Sequence, residues 1–419
     1  MTNTISSATG LTPVRTRPLP GVGESAGRRL GEEEIAALTR VIRSGRLNST
    51  VGEETKSFEQ AFADYYGLQH AVTATSGTAA LHLAVAAVDP EPGEEIITTG
   101  LSDAGTVLPI LMQNAIPVFA DVDPATGNLD PEDVESKITE RTRAIIVVHL
   151  FGIPAPVERF REIADRNGLI LIEDCAQAYL TRTDGGALAG TVGDLGCFSL
   201  QQSKHITAGD GGIVITGDAE LARRARLFAD KGWPRDTGER THLFLGLNYR
   251  MTELQAAVAH AQLGKLAGVV ADRRRTALRL TETVATLPGL AAAPTEGTSY
   301  WQFPVYLDPG AAGGDAAAYA AVLGELGIGT NPGYLDRPLY RTPALADAVT
   351  YGRSGYPLTA AEHRPDYSAG SCPQTEELIN HRLLVIGWNE NYTDSDVDDL
   401  AQALRITSAH LTAAPRPGS

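Results

Sequence analysis

The sequence predicts an α/β fold: a large domain with a mostly parallel central sheet, followed by a smaller C-terminal α/β domain. Three observations carry this. Two apolar runs of buried-strand length, AIIVVHL and LILIEDCA, flank the amphipathic segment VERFREIADRNG, which ends at a glycine. Strands buried on both faces read as continuous apolar runs, and their alternation with helices implies parallel pairing. The same alternation begins at Ala71, and it resumes in shorter form after a long helical stretch.

Residues 1–28 are rich in Thr, Ser, Pro and Gly without periodicity and read as an irregular arm. A helix is expected at EEEIAALTRVIRSG, and another at KSFEQAFADYYG, where Phe58, Phe62 and Tyr65 share a face. AVTAT is a strand, SGTAALHLAVAAV a helix opened by Ser-Gly-Thr, EIITTG a strand, and ILMQNA the end of a helix. IPVFADVD, GCFSL and GGIVITG complete the strands of a large domain spanning 29–286. A long helix from Glu253 to about Val284 leads into the small domain, 287–419, with SYWQFPVYL as a strand and helices at AAAYAAVLGELG and TDSDVDDLAQALRI. Residues 331–373, dense in Pro, Gly and Tyr, read as a long ordered loop, and the tail TAAPRPGS as mobile.

The 419 residues carry a formal net charge of −16, which argues against a nucleic-acid surface. Cys175, Cys197 and Cys372 are too few and too scattered for a disulfide framework or a zinc site, so no metal is expected. The N-terminus lacks the apolar core of a signal peptide, and no stretch approaches a membrane span of about 20 apolar residues. A cytoplasmic protein without membrane partners is the expectation.

The chemistry centres on three segments. LILIEDCAQAY places Asp174 where a strand leaves the sheet, the end at which open α/β sheets bind ligands. Thirty residues on, Lys204 follows a strand and precedes a Gly-rich turn, in a setting too apolar for a routine surface lysine. A lysine shielded from water has a lowered pKa and becomes a usable amine nucleophile. Ser76-Gly77-Thr78 opens a helix whose N-terminus suits a phosphate dianion, with Ser199 a further hydroxyl donor. Each feature alone has a bland reading: a solvated acid, a surface charge, an ordinary Ser cap. Together they supply what pyridoxal 5'-phosphate requires, namely an amine, an acid for the ring nitrogen, and donors for the phosphate.

The segments ATSGTAALHLA, PVFADVDPATGNLDP, AIIVVHLFG, LIEDCAQAY, GDLGCFSLQQSKHITAGDGGIVIT and GLNYRMTELQAAV, in this order, resemble the DegT/DnrJ/StrS aminotransferases of sugar and aminocyclitol biosynthesis, over about Arg46 to Leu404. The resemblance implies a fold-type I pyridoxal phosphate enzyme with Lys204 as the cofactor-bearing lysine and Asp174 as partner of the ring nitrogen. It implies Gln177 as a contact to a ring substituent, and Gly77, Thr78 and Ser199 around the phosphate. It further implies a homodimer with shared active sites, in which Asn248 reaches the neighbour's phosphate. The donor would be glutamate or glutamine and the acceptor a keto-sugar or keto-cyclitol; the variant QQSK looks more like the aminocyclitol branch. Where most members carry an aromatic residue that stacks on the cofactor, this chain has Asp103. Asp103, His205, Tyr334 and Arg337 are the candidate substrate contacts, with plain packing the alternative and the preferred reading for His205. The loop bearing Trp233, Arg235 and His242 is either an active-site element reaching across the dimer or a plain exposed turn. Two alternatives stand beside transamination: a sugar dehydratase or epimerase on the same scaffold, and a ligand-binding protein without turnover. Members that are dehydratases carry histidine at the position of Lys204, and sensing alone has no need of a proton-carrying lysine.

Overall fold

The computed structural model describes residues 10–361 and 364–413. The first nine residues of the expected arm and the tail beyond 413 lie outside the described residues. Seven strands form the larger sheet: β1 (His70–Ala74), β2 (Glu95–Thr99), β3 (Ile116–Ala120), β4 (Thr142–Val148), β5 (Ile170–Asp174), β6 (Leu195–Ser199) and β7 (Gly212–Thr216). Their spatial order is β1-β7-β6-β5-β4-β2-β3, with β7 antiparallel to both neighbours and every other pair parallel. Every residue of β2, β3, β6 and β7 is buried, which is why these strands show no alternation of apolar and charged residues.

Register brings the functional ends to one edge of the sheet. Gly212 lies opposite both Ala74 and Ser199, and Asp174 pairs with Val148 on one side and Cys197 on the other. The helix Gly77–Val88 starts three residues after β1, capped by Ser76, whose Oγ accepts from the Ala79 N–H at 3.0 Å.

The helix expected as one run from Glu253 is two, Glu253–Leu263 and Leu266–Val284. Gly264 weakens the helix there, the Lys265 N–H closes a tighter turn onto the Gln262 carbonyl at 2.9 Å, and the Lys265 ammonium is drawn to Glu34 at 2.8 Å. The sequence reading did not include the helix Ala219–Ala229, capped by Asp218, which covers the larger sheet with Ala225, Phe228 and Ala229.

A second, antiparallel sheet holds β8 (Leu290–Ala292), β9 (Phe303–Leu307), β10 (Thr330–Pro332) and β11 (Leu383–Ile386) in the order β10-β11-β9-β8. One face packs on the helices Leu266–Val284, Ala316–Glu325 and Asp394–Ala413 through Leu280, Tyr319 and Leu404. Leu11, Val14 and Leu19 join this core, so the irregular arm is anchored at this end of the molecule. The other face sets Tyr306 and Val385 against Leu101, Val148 and Phe151, above the carboxyl ends of the parallel strands. The described residues of 331–373 carry the end of β10, a 3-10 turn (Leu339–Arg341) and a short helix (Pro343–Ala346). Leu339, Tyr340, Leu358 and Tyr367 pack on Ile116 and Phe119 and cover the sheet edge at β3.

Candidate active site

A cavity of about 300 Å³ opens between the two sheets. It is lined by Gly77, Thr78, Asp103, Asp174, Gln177, Ser199, Lys204 and Tyr334, residues singled out in the sequence, together with Thr106, Asp210 and Trp301, which were not.

Lys204 is almost fully buried, with its ammonium 4.0 Å from the centre of the Trp301 ring. Burial disfavours its charged form and brings its pKa down to about 8, against the opposing pull of Asp174 and Asp103. Asp174 ends β5 and is buried as well. Burial raises its pKa, while the Thr106 hydroxyl (2.8 Å) and the Ala176 N–H (3.1 Å) donate to its two oxygens and favour the anion. Thr106 in turn bonds Ser102 at 2.8 Å, so the carboxylate is held from the side of the cavity opposite its own strand. Neither hydroxyl was legible as functional, because Thr106 meets Asp174 across 68 positions of chain.

The phosphate end is built by close approach. A Cβ on Gly77 would fall 2.6 Å from the Ser199 Cβ, and one on Gly212 would fall 2.2 Å from the Ser76 carbonyl. Both positions need glycine on steric grounds alone. Gly77 and Thr78, whose N–H groups precede the first helical hydrogen bond, line the cavity beside the Ser199 hydroxyl. Gly77→Ala is expected to weaken pyridoxal phosphate binding by 10-fold or more, roughly the loss of one charge-assisted hydrogen bond. Fluorescence titration of the apoprotein measures the loss.

Gln177 accepts from the Phe151 N–H at 2.7 Å and donates to the Tyr334 hydroxyl at 3.2 Å, tying the two sheets together at the cavity. Tyr334 adopts a left-handed φ of 64°. Asp103 is exposed at the mouth; one carboxylate oxygen accepts from the Gly105 N–H at 2.8 Å and caps the turn Ala104–Thr106.

Three of the sequence-derived residues stand elsewhere. His205 is fully buried, bonds the Ser299 carbonyl at 3.1 Å and packs on Tyr179, so it faces the interior and not the cavity; Lys204 and His205, adjacent in the chain, point to opposite sides. Arg337 is exposed on a separate depression with Arg341, Glu376 and Asn380. Asn248 is exposed and does not line the cavity of its own chain. Beneath the site, His149, Glu173 and Cys175 bring potential ligand atoms within 4.8 Å of one another. The atoms of His149 and Glu173 are already engaged. His149 Nε2 donates to Glu173 at 2.9 Å, its Nδ1 accepts from the Ala155 N–H, and Glu173 accepts from the N–H groups of Gly190, Val192 and Gly193.

A buried amine of lowered pKa, a buried carboxylate and a helix N-terminus around one cavity fit pyridoxal phosphate. Comparison with known proteins agrees: residues 28–405 match the DegT/DnrJ/EryC1/StrS aminotransferase family. The chain belongs to that family. It is a pyridoxal 5'-phosphate-dependent aminotransferase with the fold-type I architecture. Among its relatives, the L-glutamine:2-deoxy-scyllo-inosose aminotransferase of Streptomyces paromomycinus is 38% identical, over 96% of this chain and 97% of the relative. The L-glutamine:scyllo-inosose aminotransferase of Streptomyces griseus is also 38% identical, over 90% of this chain and 92% of its own. The crystal structure of the aminotransferase TlmJ from Streptoalloteichus hindustanus superposes with a TM-score of 0.79 at 31% identity, covering 92% of this chain and 99% of that one. No helix among the described residues is long and apolar enough to cross a membrane.

Proposed function

We propose that this aminotransferase moves the amino group of glutamine onto the ketone of an uncharged cyclitol. The observation that carries the reading is the charge of the cavity. Among the described residues lining it, Lys204 is the sole cation, against Asp103, Asp174 and Asp210. A nucleotide-linked sugar would bring a diphosphate into this negative field, whereas hydroxyl groups can donate to Asp103 at the mouth. The names of the similar enzymes, which act on inososes with glutamine, support the same choice.

When bound, pyridoxal phosphate supplies an electron-accepting ring that stores the amino group between the two half-reactions. Gly77, Thr78 and Ser199 hold its phosphate, and Asp174 keeps the ring nitrogen protonated. Lys204, as the free amine, takes the proton from the donor's α-carbon and returns one to the acceptor, a transfer suited to a group titrating near neutral pH. Trp301 and the buried walls keep water from the amine. The working unit is a homodimer, in which Asn248 completes the neighbour's phosphate site. Leu243, Leu245 and Leu247 stand exposed beside Asn248, Leu245 at 92%, an apolar stretch that a second copy would cover.

Mixing the aminated form of the protein with keto-cyclitols, free keto-sugars and nucleotide-linked keto-sugars tests the acceptor. Fast discharge by a nucleotide-linked sugar, with the cyclitols inert, would overturn the assignment. A solution mass of one chain would remove the dimer. The amine should also show itself in pH dependence. Lys204 attacks only when neutral, and its pKa lies below the ordinary lysine value, so the rate at which full-length apoprotein covalently captures pyridoxal phosphate should rise with pH and level off above about 8. At pH 7.5 about a quarter of the amine is then free, against about one part in a thousand for an ordinary lysine. A rate still climbing at pH 10 would contradict this.

A further inference from the structure

We propose that Arg273 and Arg28, joined by the buried carboxylate of Glu390, are positioning residues that hold the backbone on both sides of the Lys204–Trp301 contact. The proposal rests on Lys204 being the amine that takes the cofactor. All three charged side chains are at most 1% exposed. Arg273 is bonded to Glu390 through Nε at 3.0 Å, with Nη2 at 2.8 Å, and Arg28 stands 3.7 Å from the other carboxylate oxygen.

Such a buried ionic cluster is poor evidence of stabilisation, since apolar residues of similar volume often serve as well. What sets this one apart is where its donors go. Arg273 Nη1 donates to the carbonyls of Tyr300 (3.2 Å), Trp301 (3.0 Å) and Trp388 (2.9 Å). Arg28 Nη2 donates to the carbonyl of His205, the residue after Lys204, at 3.2 Å. The two gripped segments also hold each other: the Trp301 indole N–H donates to the Ser203 carbonyl at 2.8 Å, and His205 Nε2 donates to the Ser299 carbonyl at 3.1 Å. Tyr300, between Ser299 and Trp301, has a φ of 54°, a left-handed conformation that an aromatic residue keeps only where its surroundings impose it. The fork of Arg273 lies on the carbonyls of Tyr300 and Trp301 and imposes it. The network thus aims the Trp301 ring at the amine and keeps water off it.

The test is the pH profile of covalent pyridoxal phosphate capture by full-length apoprotein, with peptide mapping to place the adduct. Arg273→Lys keeps the charge facing Glu390 but cannot span the three carbonyls. With the Trp301 segment loosened, Lys204 gains water, and the midpoint of its profile is expected to rise by about one pH unit, or roughly tenfold less free amine at neutral pH. Trp301→Phe, which keeps a ring but loses the bond to Ser203, should move the midpoint the same way. A purely structural role would lower the unfolding temperature and leave the midpoint where it is. A folded Arg273→Lys protein with an unmoved midpoint overturns the proposal. Should that variant not fold, Arg28→Lys decides in its place, because two nitrogens of Arg28 already lack hydrogen bonds. Adduct on a lysine other than Lys204 in the unmodified protein would instead bring down the functional reading, and this proposal with it.

Discussion

Lys204→Ala is expected to leave a folded protein that binds pyridoxal phosphate reversibly, retains none after borohydride reduction, and turns over at least about 10⁴-fold more slowly. Folding should survive because the substitution removes an amine that burial already disfavours as a cation, and its one ring contact, with Trp301, is replaced by open cavity. Reversible binding should survive because the phosphate end depends on Gly77, Thr78 and Ser199, which the substitution does not touch. Mass spectrometry of the reduced protein reads the result directly, and a persistent cofactor adduct would remove Lys204 from its role.

Asp174→Asn should separate two functions that Lys204 performs. Asparagine keeps the shape: its amide oxygen can still accept from the Ala176 N–H, and its NH2 can donate to the Thr106 hydroxyl oxygen, which bonds Ser102 in turn, so the site stays assembled. The negative charge is lost, however, and Asp174 is the foremost group holding the Lys204 pKa up. Without it that pKa falls further below 8, more of the amine is neutral at pH 7, and covalent capture is expected to proceed at least as fast as before. Amino transfer should nonetheless drop by about 10²–10⁴-fold, since nothing keeps the ring nitrogen protonated while a proton leaves the donor carbon. Capture and transfer moving in opposite directions cannot come from misfolding. Near-normal turnover would exclude Asp174 from the mechanism.

How much of this was legible in the sequence follows from how far apart in the chain the cooperating groups lie. The parallel strands were readable because AIIVVHL and LILIEDCA are buried on both faces, and the Ser-Gly-Thr helix because its cap is adjacent to it. Lys204, Asp174, Gly77, Thr78 and Ser199 sit in short segments whose chemistry is local, and the structure brings them around one cavity. Trp301 was hidden inside a strand assignment, because nothing near it in the chain shows that it crosses 97 positions to meet Lys204. The strands β8, β10 and β11 are three or four residues long and were lost among Gly and Pro, where periodicity has nothing to count. His205, for which packing was the preferred alternative to a substrate contact, packs: neighbours in the sequence need not share a surface, and here the turn after Ser203 sends successive side chains to the cavity and the core. Asp103 was singled out as standing where an aromatic residue was expected. Its carboxylate caps the turn Ala104–Thr106, which presents Thr106 to Asp174, so the acid contributes to the site through the backbone as well as through charge.

The segment folded along the edge strand β3 fastens the chain beyond β10 to the larger sheet. Tyr367 donates to the Pro117 carbonyl at 2.6 Å, and the carboxylate of Asp121 receives the N–H groups of Gln374 and Thr375, both at 2.8 Å. Tyr306 on the smaller sheet fastens to the Thr126 carbonyl at 2.6 Å. A jaw-like opening of the two halves would have to break each of these bonds. X-ray scattering profiles recorded with and without glutamine are therefore expected to superimpose.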